Sequence, residues 1–147
     1  MGSKDFSTTI SVKASPQKAF AAVNKVRGWW SENIEGCTDG LHGEFKVDFK
    51  SHWWAFRIVE IVPHKRIVWL ATGSYMPWNA SQAEWTGTKI HFDIDRKEGL
   101  TEIRFTHEGL TPSCNCFDGC AKGWTGYMHQ SLKAFINTGQ GTPDFDY

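Results

Sequence analysis

The chain has 147 residues, and its 16 basic and 16 acidic side chains give a formal net charge of zero. A length of this order suits one domain that buries roughly 68–70% of its unfolded surface. The even charge leaves neither a basic block for a phosphate backbone nor a charged tail, so nucleic acid is excluded from the expected partners. No apolar run approaches the ~20 residues that span a bilayer, which excludes membrane insertion. The opening Met1-Gly2-Ser3-Lys4-Asp5 has no apolar leader core, so a cytoplasmic protein with four reduced cysteines is expected.

Along the chain, Phe6, Thr8, Ile10 and Val12 alternate with polar neighbours, the period of a half-buried first strand. Ser15-Pro16 then starts a helix, with serine as N-cap and proline where its missing N–H is harmless. Ala19, Phe20 and Val23 give that helix a short apolar stripe. A second short helix or turn carries Val26, Trp29 and Trp30, and residues 36–43 read as a loop. A meander follows, with strands over 44–50, 53–62 and 66–71 and a turn at Pro63-His64-Lys65. The loop from Gly73 to Trp78 is rich in breakers and large rings. Strands over 84–95 and 101–108, joined by a turn at Arg96 to Gly99, complete the meander. Last comes a long amphipathic helix with Phe117, Cys120, Trp124, Met128, Leu132 and Phe135 on its apolar side.

Short turns between strands favour antiparallel pairing, because parallel pairs need longer crossovers. The expected fold class is therefore α+β. A curved antiparallel sheet of about six strands wraps around a long C-terminal helix, with two short helices after the first strand, in one domain over 1–147. Eight Trp, ten Phe and three Tyr are many for such a chain. Two readings stay open: an aromatic core, or a cavity lined by large rigid rings.

Several strings, in this order and spacing, carry a resemblance. They are Ala14-Ser15-Pro16 ahead of Phe20-Ala21-Ala22, the Trp29-Trp30 pair, and Pro63-His64-Lys65-Arg66-Ile67-Val68-Trp69. Further along stand Trp85-Thr86-Gly87-Thr88-Lys89-Ile90 and Phe105-Thr106-His107-Glu108-Gly109-Leu110. Gly123-Trp124-Thr125-Gly126-Tyr127 and the closing Thr138-Gly139 complete the set. Together they resemble the START/birch-pollen-allergen-like helix-grip superfamily (SRPBCC), in the branch similar to the C-terminal domain of the activator of the heat-shock-protein-90 ATPase. The resemblance covers about Phe6 to Gly141. It implies an apolar cavity between the sheet and the last helix. The activator also has a separate N-terminal domain, for which 147 residues leave no room.

In the resembling fold, the helix-facing side of the strands would present Phe45, Trp54, Phe56, Trp69, Trp85, Phe92 and Phe105 to that cavity. Trp124, Met128 and Leu132 would come from the last helix and Trp30 from the helical insert. Tyr75, Met76 and Trp78 sit on a loop that could cap the entrance. Ordinary core packing is the competing reading for each of them.

Three further groups carry chemistry. Gly119, Gly123 and Gly126 would cost an interior helix roughly 2–3 kcal/mol relative to alanine; they read either as a loose first turn or as room for a second backbone, such as a dimer partner. Cys114, Cys116 and Cys120, with His107 upstream, could form a zinc site. Their spacing is not that of paired zinc knuckles, so free thiols or a reactive thiol near the helix N-terminus stand beside that reading. His107 and Glu108, with Glu84, could serve as an acid/base set if they reach a common substrate. Otherwise they are structural.

No cofactor is expected. The expected function is a non-enzymatic binding domain holding a small hydrophobic ligand, lipid-like or aromatic, as monomer or homodimer. The alternatives are a chaperone-regulator-like interaction domain and a cyclase- or hydratase-type enzyme using the same cavity.

Overall fold

A computed structural model describes residues 4–147; Met1, Gly2 and Ser3, at the head of the segment read as lacking a leader, lie outside the described residues. The elements in chain order are β1 (Phe6–Val12), α1 (Pro16–Asn24), α2 (Val26–Trp29), β2 (Ile34–Gly36), β3 (Glu44–Asp48), β4 (Trp53–Val62), β5 (Arg66–Tyr75), β6 (Lys89–Lys97) and β7 (Leu100–Glu108). They are followed by α3 (Phe117–Gly126), a π-helical segment (Tyr127–Leu132) and α4 (Lys133–Thr138), which run without a break.

The seven strands form one antiparallel sheet in the order β1-β7-β6-β5-β4-β3-β2. It closes no barrel; β1 and β2 remain its edges. The sequence pattern shows about six of these strands, because β2 has only three residues, too few for an alternation to register. β5 also runs further than expected, through Gly73 and Ser74 to Tyr75. A register shift against β4 between Ala55 and Phe56 absorbs the irregularity there. Conversely, Glu84 to Thr88 is a turn rather than the start of β6. Gly87 sits at φ +89°, and the Thr88 N–H bonds back to the Trp85 carbonyl at 2.9 Å.

The α1 start is the one that Ser15 and Pro16 predict: the Ser15 hydroxyl accepts the Lys18 N–H at 3.2 Å. Ala19 and Val23 on α1 are fully buried. Phe20 is only partly covered and meets the His64 ring edge-on. Between sheet and helices lies one continuous apolar core, into which β4 to β7 send Phe56, Ile58, Trp69, Phe92, Ile103 and Phe105. The large rings meet both stacked, as Trp29 on Trp69, and edge-on, as Trp69 and Phe92 with centroids 4.9 Å apart.

The last helix has an irregularity with a sequence cause. Cys116, Cys120, Trp124, Met128, Leu132 and Ile136 recur at strict intervals of four, and Trp124, Met128, Leu132 and Ile136 are all buried. A regular α-helix would rotate such a series by about 40° at each step. The π-helical segment widens the turn and keeps Met128 and Leu132 on the core side. In its widened backbone the buried Ser131 hydroxyl donates to the Trp29 carbonyl at 2.6 Å and accepts the Thr142 N–H at 2.8 Å. That serine ties the helical insert and the C-terminal tail to the last helix.

Beyond Gly139, which ends α4 in the left-handed region, the tail folds back along the molecule. The Asp144 N–H bonds to the Trp30 carbonyl, and its carboxylate takes the Ser31 hydroxyl and the Glu32 N–H. Tyr127 donates to the Phe145 carbonyl at 2.6 Å. Gly126 is explained here: the Tyr147 ring lies so close over it that a Cβ would overlap the ring. Among the described residues no helix is long and apolar enough to cross a membrane.

Candidate functional site

Between the last helix, the β4–β5 end of the sheet and the tail lies an open cleft of about 580 Å³, within the size of small-molecule sites. Four indoles make its inner wall. Trp54 stacks on Trp85 at 4.6 Å and Trp85 on Trp124 at 5.6 Å; Trp124 and Trp30 stand 4.8 Å apart. At the rim, Trp78 is 61% exposed and meets the His52 ring edge-on at 4.6 Å. The helix contributes Cys116, Gly119, Cys120, Gly123 and Tyr127, and the tail contributes Phe145, Asp146 and Tyr147.

The residues singled out from the sequence therefore divide in two. Trp30, Trp54, Trp78, Trp85 and Trp124 line the cleft. Phe45, Phe56, Trp69, Phe92, Phe105, Met128 and Leu132 pack into the closed core beneath it. Met76 is buried and Tyr75 is exposed, and neither lines the cleft. The division has a simple cause: alternation assigns a side chain to a face of the sheet, while the curvature of the sheet decides where helix and sheet touch and where they part.

Gly119 and Gly123 belong to the cleft, and a Cβ at either would meet nothing within 4 Å. They leave bare backbone on the helix side of the opening, the use for which helical glycine is tolerated despite its cost. Composition marks these glycines, but only the facing wall gives them meaning. His52, Asn79, Tyr127 and the tail residues line the cleft without any local motif that singles them out.

His107 organises the inner wall from behind. It is fully buried, and an indole N–H can only donate, so the Trp124 Nε1 bond at 3.1 Å makes His107 Nδ1 an acceptor. The ring proton then lies on Nε2 and is given to Thr88 Oγ1 at 2.9 Å; Thr88 in turn donates to the Trp85 carbonyl. Burial, helped by the nearby His91, pushes the His107 pKa from 6.5 down to about 3, so the ring stays neutral. One histidine thereby fixes Trp124 and the Trp85 turn together.

Glu84 is held at the start of α3. Its carboxylate accepts the Asn115 and Cys116 N–H groups at 2.9 and 3.0 Å and the Asn79 amide at 3.0 Å. Partial burial raises its pKa, but the backbone bonds and the Asn79 amide outweigh that and hold it below the usual carboxylate range. Glu108 is exposed on the other face of the sheet and pairs with His91 at 2.8 Å. None of Glu84, His107 and Glu108 lines the cleft, and the three do not converge on one point.

Cys114, Cys116 and Cys120 are free thiols. Among the described residues no three His, Cys, Asp or Glu side chains converge as metal donors, and both His107 nitrogens are already engaged. The Cys114 thiol donates to the Gly109 carbonyl at 3.3 Å. Cys116 and Cys120, one helical turn apart, both stand in the cleft wall. The neighbouring Cys120 thiol and burial push the Cys116 thiol far up. Cys120 is held below the ordinary thiol value by the neighbouring Cys116 thiol and the Trp85 indole, against the effects of burial, Glu84 and Cys114.

A curved antiparallel sheet gripping a C-terminal helix beside an aromatic cleft defines a helix-grip domain of the SRPBCC superfamily. Residues 13–137 match the family model described as "Activator of Hsp90 ATPase homolog 1-like protein", and the chain belongs to that family. Among solved structures it is similar to the Aha1 dimer from Colwellia psychrerythraea, with 27% identity and a TM-score of 0.77 over 94% of this chain and 99% of that one. A Staphylococcus saprophyticus protein shares the fold at 14% identity and TM-score 0.70, covering 95% of this chain and 96% of that one. DynU16, a putative protein of the dynemicin biosynthetic locus, shares it at 15% identity and TM-score 0.70, covering 95% of this chain and 49% of that one. Among curated proteins none matches.

Proposed function

We propose that this chain is a single-domain, non-enzymatic binding protein whose cleft holds a small, flat, hydrophobic ligand, aromatic rather than lipid-like. The observation that carries this reading is the stacked wall of Trp54, Trp85 and Trp124, with Trp30 tilted beside it and Trp78 exposed at the rim. Such a wall offers a planar partner dispersion and ring-stacking contacts at low entropic cost, because the indoles are already locked by their neighbours. Bare backbone at Gly119 and Gly123 supports the same reading, since it lets a ring plane approach the helix closely. The absence of Glu84, His107 and Glu108 from the cleft lining supports a non-catalytic role. The four free thiols suit a reducing, cytoplasmic setting.

The neutral probe N-phenyl-1-naphthylamine tests the reading. It should bind one-to-one with enhanced emission and quench the tryptophans, and Gly123→Leu should abolish binding by filling the opening. Absence of saturable binding, or binding unchanged in Gly123→Leu, would sink it.

The family match favours a second reading, a chaperone-regulator-like interaction domain. It predicts stimulation of a heat-shock-protein-90 ATPase or a stable complex with that chaperone. No change in ATPase rate and no complex by analytical ultracentrifugation would count against it. The dimer described for the Colwellia relative makes a homodimer of this chain the assembly to look for in the same sedimentation experiment.

A further inference from the structure

We propose that Cys120 is a nucleophilic thiol that forms covalent adducts with flat conjugated carbonyl compounds, such as quinones and enones, stacked in the tryptophan cleft. The ligand class rests on the binding reading above; the reactive thiol rests on its own geometry.

That geometry has four parts. Cys120 lies in the first turn of α3, where the unpaired N–H groups of the helix favour a negative charge on sulfur. Cys116, the N-cap residue one turn earlier, places a second thiol in the same cleft wall as Cys120. The Trp85 indole N–H is the third part: it is buried, has no hydrogen-bond partner, and belongs to a ring that lines the same cleft as both sulfurs. An orphaned buried donor is costly, and a neutral thiol is too weak an acceptor to relieve it. A thiolate at Cys120 would give that N–H an anionic partner. Fourth, Cys120 is only half-buried and stands in the cleft wall between Gly119 and Gly123, whose missing side chains leave the approach open.

Not every neighbour helps. The Glu84 carboxylate and Cys114 also face Cys120 and oppose its ionisation, while His52 and Asp146 are the other titratable groups on the cleft besides the tyrosines. The neighbouring Cys116 thiol outweighs this opposition, and the Glu84 carboxylate is already occupied by two backbone N–H groups.

The chemistry balances without an oxidant. The Cys120 thiolate attacks the β-carbon of the conjugated carbonyl and an S–C bond forms. The C=C electron pair moves onto the carbonyl as an enolate, which takes its proton at the α-carbon from the Cys116 thiol. Water then reprotonates Cys116. The net change is addition of one S–H across one C=C bond.

Two alkylating probes, read by peptide mass spectrometry at pH 7, test this. Iodoacetamide has no aromatic surface; N-phenylmaleimide is a conjugated carbonyl compound with a flat ring. Cys120 should react roughly tenfold faster than the exposed Cys37 with iodoacetamide, and its reaction with N-phenylmaleimide should saturate with concentration. Cys116→Ala should slow Cys120 several-fold, and Cys116→Ser, which keeps a hydroxyl donor, should restore the rate, with circular dichroism checking that both variants fold. Equal or slower reaction of Cys120 than Cys37 would overturn the nucleophile. A fast reaction that stays linear in N-phenylmaleimide would overturn docking in the cleft while supporting the thiol. A rate unchanged in Cys116→Ala would overturn the role of Cys116.

Discussion

Acidification should destabilise this protein chiefly through His107, and the size of the effect follows from its surroundings. The ring is buried and neutral, with its pKa lowered from 6.5 to about 3. In the unfolded chain it would titrate at its ordinary value, so between these two pH values the unfolded state binds the extra proton. Stability from this residue is therefore complete above about pH 6.5 and is lost progressively as the pH falls toward 3. At about 1.4 kcal/mol per pH unit, going from pH 7 to pH 5 costs about 2 kcal/mol. Urea unfolding followed by tryptophan emission at pH 7, 6 and 5 measures the loss. His107→Gln keeps an acceptor for Trp124 and a donor for Thr88 but cannot titrate, so it should be less stable at pH 7 yet lose about 2 kcal/mol less than wild type on reaching pH 5. Parallel losses in the two proteins would refute the argument, because the other histidines are common to both.

Gly123→Ala should stabilise the helix by up to about 1 kcal/mol, since nothing stands within 4 Å of the added methyl. The same methyl should weaken N-phenyl-1-naphthylamine binding, so thermal stability and probe affinity should move in opposite directions. Gly28→Ala should destabilise by about 1–3 kcal/mol in thermal denaturation, because its Cβ would overlap the Phe135 ring. Ser131→Ala leaves the Trp29 carbonyl and the Thr142 N–H without their shared hydroxyl. It should cost about 1–3 kcal/mol and speed amide exchange in residues 142–147. Glu84→Ala removes the acceptor at the start of α3 and should cost about 1 kcal/mol, with Asn115 and Cys116 losing exchange protection.

Much of the fold is legible in local chemistry. The Ser15-Pro16 helix start, the alternation of Phe45 and Val47 and that of Ile103 and Phe105 each reflect an interaction between residues a few positions apart. Even the π-helical segment leaves a trace, the strict four-residue spacing from Cys116 to Ile136. What is not legible is where the facing surfaces separate. Phe56 and Trp54 lie on one side of the same strand, yet Phe56 is sealed in the core and Trp54 borders the cleft. Their difference comes from distance along a curved sheet. His107 reads locally as one more alternating strand residue. Its pairing with Trp124 and Thr88 joins β7, α3 and the turn before β6, which meet only in the folded molecule.

The order of strands and helices, the sheet face of each apolar residue and the family strings were thus determined by the sequence itself, because periodicity and turn chemistry act over a few residues. Tertiary structure alone decided that five tryptophans border an opening, that the tail lies across the last helix, and that Cys116 and Cys120 stand in the same cleft wall as a buried, unpartnered indole N–H. Those outcomes depend on how elements remote in sequence pack, and no local pattern encodes the gap left between them.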